Sequence, residues 1–169
     1  MDDPHERHDL QLYLLRHAAA GDPDAWEGDD SERPLSDKGR RQAEALARLL
    51  AGRGVTLDAI VSSPKLRARE TAQIVADALR MTVAIDDRLA DPLDLDDLAA
   101  VLGAMGSRRV MVVGHDPDFS ELCATLSGAA YVPLKKGALA RLDVSLPLQP
   151  AGGILRWLLP PEVVEPTQA

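Results

Sequence analysis

Leu12-Tyr13-Leu14-Leu15-Arg16-His17-Ala18 is the stretch whose reading decides the fold. Four apolar residues in succession suit a strand buried on both faces, and such strands belong to sheets covered by helices on either side. Arg16 and His17 then fall at the strand's carboxyl end, where open α/β sheets place their sites. Far down the chain, Val110-Met111-Val112-Val113-Gly114-His115 has the same form. Two buried strands would each deliver a histidine at the tip.

Working outward from the first strand, residues 18–35 show neither helical nor strand periodicity. They hold Asp22, Asp24, Glu27, Asp29, Asp30 and Glu32 before the first base, Arg33. A loop of this length in a compact domain is usually functional or mobile, and this acidic run reads as solvated. The apolar stripe Ala43, Leu46, Ala47 and Leu50 predicts a helix over 37–51, with Ser36 as its N-cap and Gly52 and Gly54 beyond its end. A strand over 57–61 runs into Ser62-Ser63-Pro64-Lys65-Leu66-Arg67, where Ser63 suits a cap and Pro64 the first position of a helix reaching residue 79. Thr71, Val75, Ala78 and Leu79 would face inward. A strand over 82–85, a loop over 88–95, a helix over 96–105 and a strand over 109–113 follow. Asp116 and Pro117 start a helix to 126, and strands over 138–144 and 154–159 form an edge hairpin. This alternation specifies a three-layer α/β/α sandwich around a mostly parallel sheet with an antiparallel edge. A single domain over 10–160 is expected, with 1–9 and 161–169 as flexible tails.

Of the 169 residues, 46 % are hydrophobic but only 3 % aromatic, so the core is aliphatic. The net charge of -8 offers no basic surface for nucleic acid. No apolar run approaches the ~20 residues of a membrane span. The single cysteine, Cys123, cannot form an intramolecular disulfide, which fits a reducing compartment. The polar start of the chain is no signal peptide. These features set the expectation of a cytoplasmic protein with neither nucleic acid nor membrane among its partners.

A neutral imidazole is a good nucleophile near pH 7, and a phosphate monoester is an anion whose charge must be neutralised before a nucleophile approaches. Guanidinium groups do this with planar, bidentate hydrogen bonds. Arg16 adjoins His17, and Arg67 lies one turn into a helix that begins at a strand tip, where free N–H groups also favour an anion. Positive neighbours would depress the pKa of His17 and keep it nucleophilic. The chemistry expected is in-line attack of His17 on phosphorus, then hydrolysis of the phosphohistidine, with no metal and no cofactor required. Cysteine-based phosphatase chemistry needs Cys-x5-Arg, but Ala129 stands six residues after Cys123. Asp94-Leu95-Asp96 opens a helix rather than following a strand, and neither a Walker A sequence nor a Gly-x-Ser-x-Gly elbow occurs.

Arg16-His17 resembles the RHG signature of the histidine phosphatase, or phosphoglycerate mutase-like, superfamily. Ser63-Pro64-Lys65-Leu66-Arg67-Ala68 with Thr71 resembles its SPxxRAxxT segment, and Gly114-His115 its second histidine motif. The likeness runs from about residue 10 to 159 in matching order. It is nearest to the small SixA-type phosphohistidine phosphatases, which lack the insertion that larger members place over the site. The resemblance implies a phosphoglycerate mutase-like fold, His17 as the phosphorylated nucleophile, and Arg16, Arg67 and His115 completing a phosphate pocket. Ala18 replaces the usual glycine, which would put a methyl group at the pocket mouth. Larger members use a loop glutamate as general acid; here Asp91 is the preferred counterpart and Asp22 the alternative. A phosphorylated protein carrying phosphohistidine, or a small phosphomonoester, is the implied substrate. A broad small-molecule phosphomonoesterase, or a phosphate- or phosphohistidine-binding module with little turnover, are the competing readings. If the acidic run lies near the pocket, it would disfavour polyanionic substrates.

Overall fold

The computed structural model describes residues 8–90 and 92–166. Six strands form one sheet: β1 (Leu10–Arg16), β2 (Ala59–Ser62), β3 (Val83–Ile85), β4 (Arg109–Gly114), β5 (Leu139–Val144) and β6 (Gly153–Leu159), in the order β3-β2-β4-β1-β5-β6. The pairs β2–β3, β2–β4 and β1–β4 are parallel, while β5 runs antiparallel to both β1 and β6. The antiparallel element expected at the edge is thus β5, with β6 outside it.

β1 shows why an unbroken apolar run was needed. Leu12 and Leu14 face one core, with Leu98, Val101 and Leu102 of α3 (Leu95–Met105) and Phe119, Leu122, Cys123 and Leu126 of α4 (Asp118–Ser127). Tyr13 and Leu15 face the other, with Leu46, Ala47 and Leu50 of α1 (Asp37–Gly52) and Ala68, Ala72, Val75 and Ala76 of α2 (Leu66–Leu79). A sheet buried on both faces can use no alternation of polar and apolar residues along its central strands.

The connection after β1 leaves over the α1 face and the one after β4 over the α4 face. Two adjacent parallel strands therefore diverge at their carboxyl ends and open a crevice there. Ser36 caps α1 as expected, accepting from the Gly39 N–H. α2 begins later than its sequence suggests. Ser63 and Pro64 precede the helix, Lys65 is its cap residue without a side-chain cap bond, and the Ser63 hydroxyl is used elsewhere. α4 likewise starts at Asp118, one residue past Pro117. Residues beyond 160 are not simply a tail: Pro161–Val164 forms a short helix, α5, with Pro161 buried and Glu162 paired to Lys135 at 2.6 Å. At the other end, Asp9 donates its N–H to the Val144 carbonyl at 3.0 Å, while residues 1–7 lie outside the described residues. No helix among the described residues is long and apolar enough to cross a membrane.

Candidate active site

The parallel register sets Arg16 opposite Gly114, and the His17 N–H continues the ladder to the Gly114 carbonyl at 2.9 Å. His17 and His115 therefore leave the sheet side by side, with ring centroids 5.2 Å apart and planes at 55°. A Cβ on Gly114 would sit 2.7 Å from Phe119 Cζ, so a larger residue there would have to displace that buried ring.

His17 is buried, and its Nδ1 lies 2.8 Å from the Ala18 carbonyl. A carbonyl can only accept, so Nδ1 carries the proton and Nε2 keeps its lone pair. Burial, opposed by that hydrogen bond and reinforced by Arg67, Arg16 and Lys136, lowers the His17 pKa to about 4. His115 is pushed down to about 3, first by burial and then by His17, Lys65, Arg67 and Arg16. Both rings are neutral at pH 7. His115 Nε2 lies 2.8 Å from Ser63 Oγ, which also accepts the Lys65 N–H at 3.2 Å. Every group is satisfied when Ser63 gives its own proton to Nε2, which assigns the N–H of His115 to Nδ1.

The two arginines are held in the same way. Arg16 Nη1 donates to the Leu134 carbonyl at 2.7 Å and to Asp116 Oδ2 at 3.3 Å. Arg67 donates through Nη1 to the Asp30 carbonyl at 2.7 Å and through Nη2 to Asp30 Oδ2 at 3.0 Å. In both side chains Nε is sealed from solvent and has no partner among the described residues, a state shared by Arg141 Nε on β5. A buried donor without an acceptor is costly.

Four of the residues singled out from the sequence, Arg16, His17, Arg67 and His115, are thus brought to one crevice. Asp91 lies outside the described residues. Asp22 is exposed, and its carboxylate accepts the Asp24 N–H at 3.0 Å. Ala18 corrects the expectation made for it: its methyl is buried with Leu35 and Ala43, away from any mouth, and its N–H goes to Thr71 Oγ1 at 3.1 Å. Thr71 in turn donates to the Arg67 carbonyl at 2.7 Å, so the threonine of the Ser-Pro segment locks α2 to the histidine loop. The acidic run is not wholly solvated either, since Asp30 reaches the crevice. Asp30, Ser63 as the partner of His115, Lys65 and Lys136 escaped the sequence reading. The one available signal was Arg33 following Asp30 by three residues, a pairing the structure makes at 2.9 Å.

The model of the histidine phosphatase superfamily (branch 1) matches residues 12–93. An uncharacterized protein of Picosynechococcus sp. is 31 % identical over 89 % of this chain and 100 % of its own length. The phosphohistidine phosphatase SixA of Escherichia coli is 29 % identical over 90 % of this chain and 94 % of its own. A SixA protein histidine phosphatase complexed with tungstate superposes with a TM-score of 0.78 at 26 % identity, covering 90 % of this chain and 97 % of that one. The putative SixA of Agrobacterium tumefaciens gives 0.76 at 26 % identity, over 90 % and 99 %. The chain belongs to the histidine phosphatase superfamily. Within that superfamily it is of the SixA type, with the same mixed α/β fold.

Proposed function

We propose that this chain is a phosphohistidine phosphatase that carries the phosphoryl group covalently on His17 Nε2. The observation that carries the reading is the convergence of two neutral imidazoles, 5.2 Å apart, with the Arg16 and Arg67 charges acting on both and His17 Nδ1 committed to a carbonyl. Two guanidinium edges can then bind phosphoryl oxygens while the Nε2 lone pair faces phosphorus. His115, neutral and donating from Nδ1, adds a third hydrogen bond as charge builds on those oxygens.

In the first step the P–Nε2 bond forms as the bond from phosphorus to the leaving group breaks. Water then attacks phosphorus, the P–Nε2 bond breaks, and inorganic phosphate leaves with His17 neutral again. The two guanidinium groups neutralise the phosphoryl charge, so neither a metal nor a cofactor enters this mechanism.

The choice of substrate rests on protons. Two of the described carboxylates at the crevice are held by charged donors: Asp116 by Arg16 together with Ser120, and Asp30 by Arg67 and Arg33. An alkoxide leaving group needs an acid to protonate it. A phosphohistidine does not, because its ring takes up a proton near neutral pH and leaves as neutral imidazole. Asp91 remains our candidate acid for phosphomonoesters. The single cysteine, buried and with its thiol pKa raised to about 11, suits a cytoplasmic setting.

The test is a panel of phosphohistidine peptide, phosphoserine peptide, sugar phosphate and para-nitrophenyl phosphate with EDTA present. Phosphohistidine should give the highest kcat/KM, with turnover lost in His17→Ala and a base-stable, acid-labile phosphoenzyme trapped in the wild type. A preference for sugar phosphates would replace this reading with a broad phosphomonoesterase. Saturable phosphate binding without turnover would replace it with a binding module.

A further inference from the structure

Asp30 is the only residue of the acidic run whose contacts enter the crevice among the described residues, and its contacts are unusual for a loop side chain. It opens a 3-10 turn, Asp30–Glu32, capped by the Asp29 carboxylate on the Ser31 N–H at 2.9 Å. Its Oδ1 accepts from Arg33 Nε at 2.9 Å, and Arg33, itself buried, is fixed by its Nη1 on the Gly21 carbonyl at 2.6 Å. Its Oδ2 and its backbone carbonyl both take Arg67. The carboxylate is 54 % exposed while the Arg67 side chain is 7 % exposed. With the guanidinium buried, the pair compensates a charge held out of water, so losing the carboxylate carries a stability cost beside any loss of orientation. The pair also sets orientation. Asp30 grips the end of the guanidinium formed by Nη1 and Nη2, which leaves the edge of Nε and the second Nη2 hydrogen unspent. Arg16 is gripped at its own Nη1 by Leu134 and Asp116, again leaving Nε without a partner.

We infer that Asp30 is a positioning residue for Arg67, holding one end of the guanidinium and so setting its aim at the phosphoryl group. This rests on the reading above that Arg67 binds that group. The anchored turn also ties the whole acidic loop to the site, so the loop's conformation and the aim of Arg67 are one variable.

A double-mutant cycle on para-nitrophenyl phosphate turnover and on tungstate affinity tests it. Asp30→Ala should lower kcat/KM about 10- to 100-fold and weaken tungstate, as misaiming a binding group does. Asp30→Asn, whose amide oxygen still accepts from Nη2, should recover part of both. Asp30→Ala/Arg67→Ala should be no worse than Arg67→Ala alone, since residues acting through one another are not additive. Wild-type or enhanced activity in Asp30→Ala, or additive losses in the double variant, would overturn the inference. An Arg67→Ala variant with wild-type kinetics would instead sink the reading of Arg67 on which it stands. Far-UV circular dichroism controls for folding, and if Asp30→Ala unfolds, the cycle is run with Asp30→Asn.

Discussion

At the scale of single residues, the site is a matter of which nitrogen holds which proton. His17 gives its Nδ1 proton to Ala18, and His115 receives one from Ser63. Side-chain nitrogen NMR over a pH series should find both imidazoles neutral through pH 6, titrating near pH 4 and pH 3, with the N–H on Nδ1 in each. A titration of either ring near pH 6.5 would contradict the burial and positive surroundings described. In Ser63→Ala the His115 assignment should become a mixture of tautomers while His17 stays fixed. The two histidines and two arginines were legible because each sits at the end of a periodic element. Asp30 and the pairing of the Ser63 hydroxyl with His115 were not, because a contact between two loops, or a serine that serves a ring as well as the backbone before a helix, leaves no period in the sequence.

Elements were legible to the extent that they carry a stripe or an unbroken apolar run. α1, α3 and the four central strands fall within a few residues of their expected bounds. The start of α2 was misread because Ser-Pro is a good local helix opening, and only the tertiary claim of His115 on Ser63 shows why the turn comes first. α5 has four residues, too few to show periodicity. One element does more than its own sequence indicates. The first turn of α1 packs on the residue two beyond His17: Ser36 donates to the Ala19 carbonyl from its N–H at 3.0 Å and its hydroxyl at 3.1 Å. A Cβ on Gly39 would land on that same carbonyl. Gly39→Ala should therefore cost about 1–3 kcal/mol in chemical denaturation, the usual range for forced overpacking. It should also lower activity more than an alanine at exposed Lys38, by displacing the histidine loop.

For the whole molecule, two imidazoles kept neutral by burial make stability depend on pH. Their folded pKa values, about 4 and about 3, lie below the ordinary 6.5, so between those limits the unfolded chain binds protons that the native state refuses. Stability from this source is complete above pH 6.5 and falls as pH drops, by about 1.4 kcal/mol per pH unit for each ring at its steepest. Denaturation midpoints measured from pH 7 to pH 4.5 should decline, and His17→Asn/His115→Asn should flatten that decline; an unchanged slope in the variant would assign the acid limb to carboxylates alone. The rings stand 5.2 Å apart because they hang from neighbouring strands, and strands in any sheet lie about 4.8 Å apart. The strand spacing is a gauge cut into the backbone, indifferent to loop length or side-chain fashion nearby. Adjustment to differently shaped substrates is thereby left to side-chain torsions, the arginines and the loops that aim them, while the backbone spacing beneath the two imidazoles is set by the sheet.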